Sequence, residues 1–310
     1  MKNTLITAAA LWVACAAMTG CIREDIEPCP PLSVKIAVKD KNYANIADIE
    51  QQGLDSRVDE NQPFRAYIQK LYYSLTNVET NEVVFTQHLH DVQGDAEMAT
   101  AYLPEDLPFG TYALTVWGNI DNEEPVREDG RYYTMHTDEV EGYDVYMTND
   151  TLTYDYAHAD YTVELERVKG KLIVQGVNLP AEASKSLKEI SHVSLYAGRH
   201  GRYAGDGSVS VETPLEGQPE AVSNTVLAPT TDGEQSTVKF DIYGSDATAA
   251  PLVSTGNIDI DMERNRIEVV RLDAAGGQGE VKVYILVNSQ WKQVYDLELG
   301  ERLEGGKAGR

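Results

Sequence analysis

Alternation of apolar and polar residues is the dominant pattern along the first half of the chain. Leu32, Val34, Ile36 and Val38 would all fall on one face of an extended strand, with polar or small residues between them. Gly, Pro and Asn separate such segments, as turns between antiparallel strands require. The pattern predicts strands in residues 32–38, 66–75, 82–89, 97–103 and 111–119.

The same alternation continues through the second half. A boundary near Asp160 divides the chain into regions of ordinary domain size, residues 32–160 and 161–299. Helical periodicity is nearly absent, and the best helical segment, residues 181–189, is a short connector after Pro180. We therefore predict an all-β protein with two β-sandwich domains. Strands of the second are predicted in residues 161–168, 171–177, 193–197, 209–212, 224–227, 236–243, 252–260, 265–272, 281–287 and 291–297.

Two segments lack this regularity. Residues 119–159 begin with an acidic loop containing Pro125 and Gly130, and six tyrosines are dispersed through the remainder. The tyrosines fit either a cover over a sheet edge or a contact surface for another molecule, and we favour the cover. Residues 300–310 are rich in Gly, Glu, Lys and Arg, which predicts a disordered tail.

The N-terminus has the features of a bacterial lipoprotein signal peptide. Lys2 precedes an uncharged apolar run over residues 5–17, and residues 18–21 read Met-Thr-Gly-Cys. Small residues before a cysteine suit lipoprotein signal peptidase, so we predict removal of residues 1–20 and acylation of Cys21. Cys15 is a poorer acceptor because Trp12 stands where an aliphatic residue is preferred. An uncleaved anchor and a secretory signal cut elsewhere are the alternatives.

The residues behind Cys21 suggest a destination. Residues 22–27 are mostly acidic and resemble the export signal that sends Bacteroidota-type lipoproteins to the outer face of the outer membrane. A charged, solvated tether is the simpler alternative. We expect residues 21–31 to form a lipidated tether, because several acyl chains hold a protein stably in a membrane.

Charge and cysteine content exclude several classes of function. The chain has 310 residues, 50 acidic and 26 basic, and a net charge of −24. No cluster of Lys and Arg is present, which excludes nucleic-acid binding. Of the three cysteines, Cys15 leaves with the signal and Cys21 is acylated, so Cys29 has no partner for an internal disulfide.

Candidate chemical sites are few and weak. His88 and His90 share one strand face but lack a third zinc ligand at suitable spacing. Asp259, Asp261 and Glu263 alternate with apolar residues, as on any half-buried strand, so we predict no metal site. No catalytic motif or cofactor fingerprint is present, and we predict neither an enzyme nor a small-molecule substrate.

Several segments, taken in order, resemble the FimB-like anchor subunits of Bacteroidota type V fimbriae. The most specific part is the lipidated Cys21 followed by an acidic stretch and Cys29-Pro30. The other matching residues are Leu103-Pro104, residues 109–119, Leu165-Glu166-Arg167, residues 170–174, Leu195-Tyr196, Gly201-Arg202-Tyr203 and Arg264-Asn265-Arg266.

The resemblance implies two tandem transthyretin-like β-sandwich domains and a lipid-tethered subunit that holds a fimbrium on the outer membrane. Its partners would be pilin subunits, joined by strand donation at a sheet edge. We expect that contact in residues 281–287 and 291–297. Stem pilins of this class are cut after an arginine, and Arg57 is either such a processing site or an ordinary loop residue.

Two further readings of the sequence remain. The runner-up function is a glycan-binding surface lipoprotein of a sugar-uptake system, which would expose Trp and Tyr side by side. Trp117 and Trp291 instead lie in alternating strands, which favours the fimbrial reading. Residues 150–152 (Asp-Thr-Leu) resemble the O-glycosylation acceptor of exported Bacteroidota proteins, which makes Thr151 a candidate glycosylation site.

Overall fold

The computed structural model describes residues 30–123, 126–127, 132–198, 201–246, 250–274 and 280–298. Within them nearly all regular structure is β-strand, which confirms the all-β prediction. The strands are β1 (Ser33–Val38), β2 (Lys70–Asn77), β3 (Val83–Asp91), β4 (Ala99–Ala101), β5 (Gly110–Gly118), β6 (Val126–Arg127), β7 (Tyr132–Thr134), β8 (Tyr146–Tyr154), β9 (Asp160–Arg167), β10 (Gly170–Val177), β11 (Lys185–Gly198), β12 (Arg202–Pro214), β13 (Glu220–Leu227), β14 (Ser236–Tyr243), β15 (Val253–Ile260), β16 (Ile267–Asp273), β17 (Glu280–Val287) and β18 (Gln290–Glu298).

Helical structure in the described part is confined to short segments. They are α1 (Ile46–Glu50), α2 (Phe64–Tyr67) and a 3₁₀ turn at Thr137–Glu139. None of the helices among the described residues has the length and apolar content that crossing a membrane requires.

The first sandwich contains seven strands in the order β3-β2-β5-β8-β9-β1-β4. Strands β8 and β9 share only two residue pairs, so the sheet divides there into two layers. Val34 and Ile36 from β1 pack with Leu75 and Leu114 from the other layer, and all four are fully buried. The alternation in residues 32–38 therefore marks a core face, as the sequence predicts.

Strand β1 occupies an internal position in its layer. It runs parallel to β9 along its whole length, from Ser33 beside Asp160 to Val38 beside Leu165. On its other side it pairs antiparallel with the short strand β4. The first strand among the described residues is therefore hydrogen-bonded on both edges.

The second sandwich is formed by two sheets. One has the order β13-β10-β16-β17-β18, and the other has the order β15-β14-β11-β7-β6, with β12 also paired to β11. Leu172 and Val270 from the first sheet pack with Val238 and Ile258 from the second in one buried cluster. Alternating burial along these strands produces this core.

The pairing of two segments corrects the predicted boundary near Asp160. Strand β9, expected to open the second domain, belongs to the first sandwich through its pairing with β1. Strand β7, expected in the first domain, pairs with β11 of the second sandwich at Tyr196 and Thr134. Alternation identifies a strand, but it does not identify the strand's partner.

The predicted helical segment, residues 181–189, is also wrong. Lys185–Gly198 form the long strand β11, and Ser186, Lys188 and Ile190 alternate as buried residues. Its residues favour a helix locally, but pairing with β12 on one edge and β14 on the other overrides that weak preference.

Helix α1 packs on the outer face of the β10-β16-β17 sheet. Ile46 and Ile49 contact Ile173, Ile267 and Val269 in a third apolar cluster, separate from the two sandwich cores. The side-chain amide of Asn45 accepts from the Ile267 N–H at 2.9 Å and donates to its carbonyl at 2.8 Å. The segment after β1 is thereby fixed to the second sandwich.

Gly170 stands where β10 passes closest to the turn before β16. A Cβ atom on Gly170 would lie 2.2 Å from the Glu263 carbonyl oxygen and 2.9 Å from that of Arg266. Backbone hydrogen bonds on either side, from Lys171 N–H to Arg266 and from Asn265 N–H to Lys169, maintain this approach at 2.9 Å each. Any residue larger than glycine at this position would force the backbone of β10 and that of the turn before β16 apart.

We expect Gly170→Ala to lower the free energy of unfolding by about 2–4 kcal/mol, because two backbone segments must separate. Gly244→Ala is the matched control, since its Cβ would meet no atom closer than 3.6 Å. Urea unfolding of both variants measures the difference. Equal midpoints for the two would contradict the packing described for Gly170.

Candidate functional site

A buried arginine joins the two sandwiches. Arg167, at the end of β9, is 5% exposed. Its Nε donates to the Asp144 carboxylate at 2.9 Å, and its Nη2 contacts the Tyr146 hydroxyl, both in the first sandwich. Its Nη1 donates to the Asn265 side-chain oxygen at 2.7 Å, in the turn before β16 of the second sandwich. We refer to these four residues and Asp40 as the junction cluster.

Asp40 brings the segment after β1 into the junction cluster. Its carboxylate accepts the Arg167 backbone N–H at 2.9 Å and lies 3.3 Å from Nη1 of Arg264. The Tyr43 ring lies 4.0 Å from the Arg167 guanidinium carbon, which is cation–π distance. Both sandwiches and the N-terminal segment therefore meet at one side chain.

The charge of Arg167 is retained despite its burial. Burial alone would lower the pKa of the guanidinium, but Asp144, Tyr146 and Tyr43 together outweigh burial and raise that pKa overall. A buried ion pair contributes little net stability against an apolar replacement, whereas loss of one partner leaves an uncompensated charge. The cluster therefore specifies how the segments meet more than it adds stability.

Two buried side chains, those of Lys169 and His136, hold the segment between β7 and β8 against the second sandwich. Lys169 donates through Nζ to two backbone carbonyls of that segment, at 2.9 and 2.8 Å, and burial lowers its pKa to about 7. His136 bonds through Nδ1 to the Val140 carbonyl and accepts the Ala228 N–H through Nε2. Burial lowers the pKa of His136 to about 3, so the imidazole is neutral at physiological pH.

The six tyrosines of residues 119–159 divide into two groups. Some cover the sandwiches and others face solvent, so neither sequence interpretation accounts for all of them. Tyr133, Tyr146 and Tyr154 are buried, whereas Tyr132, Tyr143 and Tyr156 are exposed.

The predicted assembly strands, β17 and β18, occupy different positions in their sheet. Strand β17 pairs with β16 on one side and β18 on the other, so neither edge is open. Strand β18 ends the sheet, and Val294 on it is 41% exposed. Among the described residues, β18 is therefore the member of this hairpin with an edge open to another strand.

The β17–β18 hairpin is packed against the N-terminal segment. Its turn residues Asn288 and Ser289 both have positive φ, as two-residue hairpin turns require. Ser289 donates to the Asp48 carboxylate of α1 at 2.5 Å, and Trp291 Nε1 donates to the Gln52 side-chain oxygen at 3.0 Å. Trp291 is thus partly buried, and its ring does not form an exposed surface on which a sugar could stack.

Of the predicted modification sites, the structure describes Arg57 and Thr151. Cys21 and Cys29 lie outside the described residues. Arg57 lies in an exposed loop, where its guanidinium is 3.7 Å from the Glu50 carboxylate. Thr151 is exposed in the middle of β8.

The discounted metal candidates are exposed polar faces. His88 pairs with Glu123 at 2.9 Å on the surface of β3. Asp259, Asp261 and Glu263 are exposed while the apolar residues between them are buried. Within the described ranges, no group of three or more His, Cys, Asp or Glu side chains could hold a metal ion.

A polar cleft of about 740 Å³ opens beside the junction cluster. Its charged lining includes Lys39 and Arg264, which both pair with Glu166, at 2.6 and 3.1 Å. Tyr203 also lines it, but its hydroxyl donates to the Val168 carbonyl at 2.7 Å. Among the described lining residues Tyr203 is the one aromatic side chain, so the cleft does not present two adjacent aromatic rings.

No family profile matches the chain, and no curated protein sequence matches it significantly. Solved structures do share its fold. A candidate adhesin from Bacteroides ovatus is 13% identical, with a TM-score of 0.54 over 88% of this chain and 97% of that one. A candidate polysaccharide-binding protein from Bacteroides thetaiotaomicron is 11% identical, with a TM-score of 0.53 over 86% and 99%. At these identities the comparison establishes the fold alone.

Structural neighbours also include fimbrial proteins, as the resemblance predicts. The fimbrial anchor protein Mfa2 from Porphyromonas gingivalis is 13% identical, with a TM-score of 0.41 over 86% of this chain and 100% of that one. This similarity is too low to carry an argument about function.

We expect Arg167→Met to lower the free energy of unfolding by about 3–5 kcal/mol, because Asp144, Tyr146 and Asn265 would lose a buried partner. Arg264→Met is the control: that side chain is 39% exposed, and its pairs with Asp40 and Glu166 should be worth about 1 kcal/mol or less. Denaturant unfolding compares them. A smaller loss for Arg167→Met than for Arg264→Met would contradict the central position of Arg167.

Proposed function

We propose that this chain is a structural subunit of a surface fimbrium, held in the outer membrane by a lipid on Cys21. The outer edge of β18, which pairs with no other described strand, is the observation that carries the proposal, because such an edge can bind a strand of a partner subunit. The shared fold with a candidate adhesin supports a role at the cell surface. No catalysis is proposed.

The position of β1 suits a load-bearing tether. The lipid would pull on the N-terminal side of β1, which is hydrogen-bonded to β9 and β4 along both edges. Its side chains Val34 and Ile36 are fully buried, so extracting the strand would expose core on one side and break two ladders. A tether attached to this internal strand can transmit force without first peeling an edge strand away from its sheet.

The β18 edge suits a partner strand. The described side chains of β18 are mostly exposed beyond Trp291, while β17 behind it supplies Val281 and Val283 to the core. An added strand would extend a sheet that is already anchored to a core. Main-chain hydrogen bonds would supply affinity, and alternating side chains would supply specificity.

We expect Val294→Lys to weaken binding of pilin subunits about tenfold or more, because a charge on an open edge opposes strand addition. Val222→Lys is the matched control: Val222 is 47% exposed on β13, the opposite end of the same sheet. Co-purification and titration with pilin subunits measure the effect. Equal binding by both variants would reject β18 as the assembly edge.

We expect Cys21→Ala to release fimbriae into the medium, because the acyl chains would hold the subunit in the membrane, while both sandwiches stay folded, because their core residues all follow residue 31. The readouts are fimbriae in cell and medium fractions and the circular dichroism spectrum of the purified chain. Fimbriae that remain fully cell-bound would reject the anchoring role.

Processing at Arg57 is a second proposal, in which the chain acts as a stem or tip pilin. Its support is the exposure of the loop that carries Arg57. Cleavage there would separate the segment containing β1 and α1 from the remainder, leaving it held by noncovalent contacts. Mass spectrometry of the surface-released protein distinguishes the cases: an N-terminus at Val58 supports processing, and an acylated Cys21 supports anchoring.

Glycan binding is a further candidate because the fold is shared with a candidate polysaccharide-binding protein. The cleft beside the junction cluster has a suitable size, but Lys39 and Arg264 in its lining both pair with Glu166. Specific retention on a glycan array would favour this function over fimbrial assembly.

Thr151, exposed on β8, also remains our proposed O-glycosylation site.

A further inference from the structure

Three exposed aromatic side chains lie at one end of the first sandwich. Tyr102 is 75% exposed, Tyr156 is 51% exposed and Phe109 is 41% exposed. The rings of Phe109 and Tyr156 meet edge to face with centroids 5.5 Å apart. We refer to these three residues as the aromatic patch. Exposed aromatic residues grouped in this way mark contact surfaces more often than aromatics scattered singly do.

The chain enters the first sandwich beside the aromatic patch. The Ser33 N–H donates to the Ala159 carbonyl at 2.8 Å, in the loop that also carries Tyr156. Val34 pairs with Ala101, the residue directly before Tyr102. The N-terminal tether therefore begins at the same end of the sandwich as the patch.

The loops that carry the patch are held in place. The Asp155 carboxylate accepts the backbone N–H groups of Ala157 and His158 at 2.8 and 2.9 Å, which closes the turn around Tyr156. Phe109 packs edge to face on the buried ring of Tyr154 with centroids 4.9 Å apart. Two of the three rings are therefore oriented before any partner binds, so binding would cost little conformational entropy.

The length of the tether limits what can cover the patch. Cys21 stands nine positions before Pro30, so the intervening chain spans at most about 30 Å. With Cys21 acylated, the membrane surface would lie within that distance of the sandwich end where the tether begins. Aromatic side chains are the residues that settle at a membrane–water interface.

We propose that the aromatic patch contacts the membrane surface and fixes the first sandwich with this end facing the lipid. The proposal rests on the lipidation of Cys21 proposed above. Glu105, Asp106 and Asp160 are exposed close to the patch. Their charge favours contact with a zwitterionic lipid surface over an anionic one.

The test uses the full mature, acylated chain in phosphatidylcholine vesicles that carry brominated acyl chains, which quench tryptophan on contact. Tyr156→Trp places a probe in the patch. Tyr143→Trp is the control, because Tyr143 is 59% exposed near the opposite end of β5, which is about 27 Å away along the strand. The unsubstituted chain provides the background from Trp117 and Trp291.

We expect at least about threefold stronger quenching of Tyr156→Trp than of Tyr143→Trp, since interfacial side chains reach the acyl boundary. Adding Tyr102→Ser and Phe109→Ser to Tyr156→Trp should abolish most of that quenching, as should replacing phosphatidylcholine with phosphatidylglycerol. Equal quenching at the two positions would overturn the proposal. Quenching that survives loss of the other two rings would also overturn the proposal. The tether alone would then be enough to bring the tryptophan at position 156 into contact with the acyl chains.

Flotation of the same samples separates this inference from the anchoring proposal. A chain that floats with the vesicles but shows no quenching at position 156 is anchored without the patch contact, so this inference alone fails. A chain that carries no acyl group by mass spectrometry and does not float overturns both. A shift in the emission spectrum of Tyr156→Trp on adding soluble pilin, with no bromine quenching in vesicles, would assign the patch to fimbrial assembly and overturn the membrane contact.

Discussion

The burial of one guanidinium group constrains how the parts of this molecule meet, together with apolar contacts that Trp117 and Met147 of the first sandwich make in the buried cluster of the second. Arg167 is almost entirely removed from water, so each of its donors needs an acceptor at a suitable distance. Those acceptors are supplied by Asp144 and Tyr146 in the first sandwich and by Asn265 in the second. The backbone N–H of the same residue binds Asp40. A shift of any contributing segment would leave a buried charge or polar group without its partner.

The same constraint connects the start of the chain to the end of the second sandwich. Strand β1 leads through Asp40 to α1, and α1 lies on the sheet that carries the β17–β18 hairpin. Ser289 and Trp291 of that hairpin bond to Asp48 and Gln52. A continuous series of contacts thus joins the proposed tether to the proposed assembly edge, which is the route a force on the fibre would take through the subunit.

The sequence predicts the strands of this fold better than it predicts their neighbours. Alternation in residues 32–38 identifies a core-facing strand, but the parallel pairing of β1 with β9 joins residues separated by a long stretch of chain. Local pattern carries no signal for such a pairing, and the predicted domain boundary was misplaced as a result. Residues 185–189 indicate a helix locally because Lys, Leu and Glu favour helices in isolation, whereas two neighbouring strands determine their conformation.

The candidate site was only partly predictable for the same reason. Arg167 and Arg264-Asn265 both belong to segments that carried the family resemblance, yet no role was predicted for them. The hydrogen bond between Arg167 and Asn265 joins positions 98 residues apart, so neither segment indicates its partner. Trp291 is partly buried against the apolar cluster of α1 and donates to Gln52, and the alternation of β18 gives no sign of this contact with the segment after β1.

Amide hydrogen exchange of the chain within intact fimbriae and as the free subunit tests assembly at β18 most directly. Addition of a partner strand would slow exchange at the outward-facing amides of β18 and leave those of β13, at the opposite end of the sheet, unchanged. Exchange at β18 that is equally fast in the fibre and in the free subunit would contradict assembly at this edge.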